Sequence, residues 1–214
     1  MQDKLKISVI IPVYNSEKYI GRCLRSLFKQ NINKKNFEII VINDFSKDNS
    51  IAEIKKYKSS NLKIIHNKKN LGLPASLNVG IKQATGSLIV RVDSDDWVHD
   101  EFLNLMSTFL SLNKKIDAVA CDYTLTDHKE NPIIEKNCMK FPIGCGIMFR
   151  IQHLLEMGLY DEKFLYAEEE ALRKKFLNAY NITRIPLSLY RYRQHKKNRS
   201  KNVKMVRRYS KKAK

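Results

Sequence analysis

Three carboxylates fall within four residues at Asp93, Asp95 and Asp96, in the run VRVDSDDWV. Two unit charges about 5 Å apart repel by roughly 3 kcal/mol at an effective dielectric near 20. Solvent, a helix N-terminus, a basic side chain or a metal ion must therefore compensate them. Mg²⁺ or Mn²⁺ is the chemically productive choice, because a hard divalent ion takes carboxylate and phosphate oxygens together. Asp93 and Asp95, two apart in an extended segment, point the same way and could serve one ion. The structural alternative is that Asp95 or Asp96 caps the following helix while Asp93 is solvated. Their place at a strand end beside Asp44 favours the ion.

The glycines support that choice. There are seven, at 21, 72, 80, 86, 144, 146 and 158, and none forms G-x-G-x-x-G or G-x-x-x-x-G-K-[ST]. A bound nucleotide would need another device to neutralise its phosphates. Cys23, Cys121, Cys138 and Cys145 show no C-x-x-C spacing and no histidine pairing suited to zinc. Free thiols and a cytoplasmic setting are expected.

The elements that must position these groups alternate. KISVIIPV (6–13) reads as a strand rather than a signal peptide, since polar residues follow it at once. Ile20, Cys23, Leu24, Leu27 and Phe28 mark one face of a helix. FEIIVIN (37–43) suits a parallel strand covered on both faces. Asp48 or Ser50 caps a helix through Ile51, Ile54 and Tyr57, and LKIIH (62–66) is a third strand. Pro74 opens a helix through Leu77 and Ile81. SLIVRV (87–92) is the fourth strand, backed by a helix over 102–112. This order predicts an α/β fold with a doubly wound, mostly parallel sheet and right-handed crossovers. Ligands bind such sheets off the carboxyl ends of the strands. Tyr14–Asn15, Asn43–Asp44 and Asp93–Asp96 all lie there. Beyond about residue 113 the alternation weakens: strands are expected at 116–125 and after 140, a helix at 167–180 and an extended run at 182–193, in a mixed, partly antiparallel half.

The net charge of +18 is uneven. Residues 191–214 carry 12 of the 40 Lys and Arg and no acid, which leaves 28 basic and 22 acidic residues, or +6, in 1–190. This tail suits an anionic membrane surface, or stands as a solvated end without a partner. No apolar run approaches the roughly 18 residues of a transmembrane helix. A nucleic-acid-binding protein would interleave its basic residues with aromatics on a folded surface; with terminal charge and an acidic crevice, no nucleic acid is expected.

Taken in order, ISVIIPVYNSEKYI (7–20), INDFSKD (42–48), NLGLPASLNVGIKQATG (70–86), VDSDDW (92–97) and GLYDEKFLYAEEEALRKK (158–175) resemble the inverting glycosyltransferases of family two, which have the GT-A fold. The resemblance implies a single domain, with a nucleotide-sugar-binding half over 1–100, an acceptor-binding half over 101–190 and a basic tail over 191–214. It implies that Pro12, Tyr14 and Asn15 line a nucleoside pocket and that Asp44 accepts from uracil N3–H. Asp93, Ser94 and Asp95 would hold the ribose–diphosphate, with Asp93, Asp95 and His195 about an Mn²⁺ or Mg²⁺ ion. Glu169 would be the base, Gly144 and Gly146 would lie near the acceptor, and Glu168 and Glu170 would favour the helix N-terminus through its dipole. The function implied is transfer of a sugar from a nucleotide diphosphate, with UDP favoured, to a hydroxyl of a glycan or lipid-linked acceptor in bacterial surface polysaccharide synthesis. The setting implied is cytoplasmic and peripheral at the inner membrane face. The sequence departs from the family pattern at Asn43, Phe45 and the E-E-E run. A sugar-phosphate nucleotidyltransferase is the alternative enzyme, but it usually carries a Gly-rich loop where PVYNSEKYI stands; an inactive transferase-like subunit is a further one.

Overall fold

The computed structural model describes residues 5–196 and 198–213. The first half alternates as β1 (Ile7–Val13), α1 (Ile20–Phe28), β2 (Phe37–Asn43), α2 (Ser50–Lys55), β3 (Leu62–His66), α3 (Leu73–Lys82) and β4 (Leu88–Arg91). These four strands are parallel, in the order β3-β2-β1-β4. Alternate residues serve opposite faces. Ile39 and Val41 of β2 join α1, Ile54 and Phe102 in one core, while Ile40 and Ile42 join Leu77 and Ile81 of α3 in the other. Both faces are thus covered, which is why β2 reads as an unbroken apolar run. Each fully buried Leu or Ile contributes about 1.5–3 kcal/mol. Gly80 is required by this packing: a Cβ there would sit 2.6 Å from Ile42 Cδ1 and 2.7 Å from Ile10 Cγ2.

The second half contains β5 (Trp97–Val98), α4 (Phe102–Leu112), β6 (Ala118–Thr126), β7 (Pro132–Lys136), β8 (Ile147–Arg150), α5 (Ile151–Glu156), α6 (Glu168–Leu177), β9 (Ile182–Arg193) and α7 (Val203–Ala213). β8 pairs antiparallel with β4 and β6, and β9 runs parallel to β6, so this half of the sheet is mixed. Pro186 fits within β9 because the register jumps there: Cys121 faces Ile185 and the next residue, Asp122, faces Ser188. β5, β7 and α5 gave no sequence signal.

The charged end is not one unit. Residues 191–193 finish β9, with Arg193 buried, so the basic segment set apart at 191 begins inside the sheet. Beyond it, α7 turns Met205, Val206, Tyr209 and Ser210 inward and leaves Lys204, Arg207, Arg208, Lys211 and Lys212 exposed. Tyr209 lies beside Phe164 and Tyr166, and Ser210 Oγ donates to Glu170 at 2.9 Å. No helix among the described residues is long and apolar enough to cross a membrane.

Candidate functional site

The carboxyl ends of the parallel strands set out the site. Val13 pairs with Asn43, so the loops after β1 and β2 start level. β4 pairs with β1 only as far as Ile10–Arg91, so the ladder has ended where Pro12 lacks an N–H. Asn15 and Phe45 have left-handed backbones, φ 51° and 64°, and Ala167, just before α6, has φ 55°. Each is a conformation non-glycine residues adopt at a cost of order 1–3 kcal/mol, a strain that collects at functional sites.

On the nucleoside side, Asp44 is buried and already engaged. Its Oδ1 accepts from Leu71 N at 2.7 Å and Asn67 Nδ2 at 2.9 Å, and its Oδ2 from Gly72 N at 2.9 Å. Among the described residues these three bonds fill three of a carboxylate's roughly four acceptor positions. Asn43 keeps the acceptor that an aspartate would supply, taking Ser46 N at 3.0 Å. Asn15 Oδ1 accepts from Lys47 N at 2.8 Å, while Tyr14 stands 53% exposed. Ser94, expected at the diphosphate, is buried with its hydroxyl 2.7 Å from that of Ser16. It ties the first loop to the acidic loop.

The acidic tip separates its three charges. Arg91 grips Asp93 with two bonds, Nε to Oδ1 at 2.6 Å and Nη2 to Oδ2 at 3.0 Å. Asp96 is enclosed, accepting from Tyr190 Oη and from Arg193 N, both at 2.8 Å. Burial first, then Asp95 and Asp93, push its carboxyl well above the usual range. Asp95 Oδ2 lies 2.8 Å from His195 Nε2, and the histidine ring stacks on Tyr19 at 4.6 Å. Arg22 and Arg193 both lie over the Trp97 ring beneath this loop. The structure therefore brings Asp95 and His195 together as expected, whereas Asp93 turns to Arg91 instead of sharing their side. Among the described residues the three-ligand cluster is Asp93, Asp96 and Cys145, within 4.8 Å of one another. Burial and the two aspartates keep the Cys145 thiol protonated, a poor donor for a hard cation. The Asp95 carboxylate at the mouth fits Mn²⁺ or Mg²⁺ better, because such ions take hard oxygens and complete their shells with substrate phosphate and water, and His195 beside it would join only as a borderline nitrogen ligand.

The three glutamates at the start of α6 have distinct surroundings. Glu168 is buried and paired with Arg91 Nη1 at 3.2 Å. Glu170 is exposed and engaged by Ser210. Glu169 is half-buried against Gly144, and burial followed by the charge of Glu168 pushes its carboxyl up to about 7. Asn78 of α3 positions the approach to this segment, donating to Tyr160 O and Glu162 Oε1 at 2.9 Å and accepting from Tyr160 N at 3.0 Å. Sequence reasoning missed Arg91, Tyr190 and Arg193. Arg91 did leave a signal, since a charge inside an apolar strand requires a partner.

A family model described as Glycosyl transferase family 2 matches residues 8–168. Poly(ribitol-phosphate) beta-N-acetylglucosaminyltransferase TarS of Staphylococcus aureus is 43% identical over 108 residues, 50% of this chain and 19% of that relative. The chain thus spans about a fifth of the relative's length. The crystal structure of S. aureus TarS 1-349 in complex with UDP-GlcNAc superposes with a TM-score of 0.81 at 27% identity, over 92% of this chain and 61% of that one. A mannosyltransferase from Pyrobaculum calidifontis, in complex with GDP-Man and Mn²⁺, gives a TM-score of 0.78 at 16% identity, over 99% of this chain and 64% of that one; this likeness is one of fold. With the family match running from β1 through the acidic tip to Glu168, the chain is a GT-A-fold member of glycosyl transferase family 2.

Proposed function

We propose that the protein transfers a sugar, with inversion, from a nucleoside diphosphate to a hydroxyl of a glycan or lipid-linked acceptor in the synthesis of a bacterial surface polysaccharide. The observation that carries this reading is the placing of Glu169: it packs on Gly144 beside Arg91, which grips Asp93 of the acidic tip, and burial followed by Glu168 pushes its carboxyl up to about 7. A sugar hydroxyl is a weak nucleophile, and a base whose proton affinity matches neutral pH assists it best. Glu169 takes the acceptor's proton as the oxygen attacks the anomeric carbon from the face opposite the diphosphate. The bond from that carbon to the phosphate oxygen breaks, and its electron pair leaves with the nucleoside diphosphate. Asp95 and His195 would hold Mg²⁺ or Mn²⁺, which would neutralise the charge on the leaving group. Asp44 offers its remaining acceptor position to a base N–H, Tyr14 and Asn15 flank the nucleoside, and Asp93, fixed by Arg91, faces the ribose–diphosphate. UDP is the favoured nucleotide, in keeping with the UDP-GlcNAc complex of TarS.

The outward cations of α7 suit an anionic lipid surface, each worth up to about 1 kcal/mol there. The protein then works in the cytoplasm, peripherally at the inner membrane face. The deciding experiment is nucleotide release from a panel of UDP-, GDP- and dTDP-sugars with Mn²⁺, Mg²⁺ or chelator. Metal-dependent release from one donor class is expected; no release from any donor with any acceptor preparation refutes the reading.

A further inference from the structure

Four ionisable groups form one continuous chain through the middle of the site. Asp93 ends it on the donor side, then come Arg91, Glu168 and, on the acceptor side, Glu169. Arg91 is 9% exposed and Glu168 5%, so an unpaired charge on either would be costly. Arg91 gives Nε and Nη2 to Asp93 and Nη1 to Glu168. Its backbone belongs to β4, which is flanked by β1 and β8, so the guanidinium is carried by an interior strand rather than by a loop.

We propose that Arg91 and Glu168 are a pair of positioning residues joining the donor and acceptor sides: Arg91 holds Asp93 with two bonds and Glu168 with a third, and this ion-paired Glu168 sits directly before Glu169 in the first turn of α6. The proposal rests on the transfer reaction above, in which Glu169 is the acceptor's base. One cation faces two carboxylates, so it cannot fully cancel Glu168, and the remaining negative charge acts on the neighbouring Glu169. Like charge raises a carboxyl's proton affinity and opposite charge lowers it. Among the described residues, the other titratable groups facing this pair are the Tyr160 hydroxyl, from the loop before α6, and the Cys145 thiol, from the loop before β8. Burial leads in suppressing the ionisation of both, so neither adds charge at neutral pH. Burial leads in raising Glu169; among neighbouring charges Glu168 adds to the rise and Arg91 opposes it. The pair also gives distinct roles to three consecutive glutamates: a partner of Arg91, the proposed base and a surface residue.

The test is a ¹³C carboxyl NMR titration of the full chain without ligand, with the Glu169 signal assigned by its loss in E169Q. In E168Q the Glu169 midpoint is expected to fall by about one pH unit. Gln keeps the shape and the acceptor oxygen, and Arg91 keeps Asp93, so no unpaired cation is created. E168D retains the charge and is expected to keep the midpoint near its wild-type value, and E170Q is expected to leave it unmoved. An unchanged midpoint in E168Q, or an equal fall in E168D, overturns the proposal. No turnover is involved, so a protein that titrates as expected yet releases nucleotide from no donor sinks the transferase reading and leaves the pair standing.

Discussion

A side chain on Gly144 would place its first carbon 2.8 Å from Glu169 Cβ and 2.9 Å from Arg91 Nη1. Glu169, the proposed base, and the guanidinium behind it are thus packed directly on a bare stretch of backbone. G144A must push one of them aside. Overpacking of this kind costs about 1–3 kcal/mol, and a displaced catalytic group loses about 10²-fold in rate. The expected result is a kcat down by that order with affinity for UDP unchanged, read by steady-state kinetics beside calorimetry. Full activity in G144A would place the base elsewhere.

Glu169 must be unprotonated to act, so activity should fall as pH drops through about 7, not through the ordinary carboxylate range. The same group governs stability. Its folded proton affinity lies above the unfolded value, so the folded chain binds more protons in the window between them, and stability declines as pH rises through it. E169Q should therefore lose 10²- to 10⁴-fold in kcat yet melt at a higher temperature than wild type at pH 8. A lower melting temperature would contradict the raised carboxyl.

Asp95 and His195 should answer for the metal. Calorimetric titration of UDP with and without Mn²⁺ is expected to show the metal's contribution vanish in D95A. H195A, which removes the second proposed ligand, should weaken it by about tenfold or more, since even loss of an outer partner of a metal ligand costs that much. D95N keeps the shape but not the charge and should behave like D95A. An undiminished metal effect in D95A would move the ion to Asp93.

The membrane reading calls for a substitution that leaves α7 in place, because the helix packs beside the segment that carries the base. Replacing Lys204, Arg207, Arg208, Lys211 and Lys212 by Gln changes only exposed positions. Binding to vesicles of phosphatidylglycerol should drop steeply and nucleotide release in solution should persist. Retention on the vesicles would rule out this face as the anchor.

Much of the donor half was readable because its signals are local. The β-branched run at 37–43, the helical spacing of Ile20, Cys23, Leu24 and Leu27, and Pro74 at the start of α3 each report on their own neighbourhood. Their order then places Asp44 and Asp95 at one end of the sheet without any knowledge of contacts. The rest depends on distant partners. Nothing near Arg91 announces Glu168, 77 residues on, and three glutamates in a row look alike until Arg91, Gly144 and Ser210 tell them apart. β5 has two residues and β7 is exposed on both faces, so neither carries a period to read. α7 hides its inward residues among lysines and arginines.

His195 reaches Asp95 from 100 residues farther along the chain, carried there by the last strand of the sheet. On the ribosome the strands that shape the nucleotide crevice emerge well before that histidine. A nascent chain can thus assemble its donor half while the acidic tip still lacks its imidazole. A chain cut short after α6 would keep all four parallel strands yet lack the imidazole that meets Asp95.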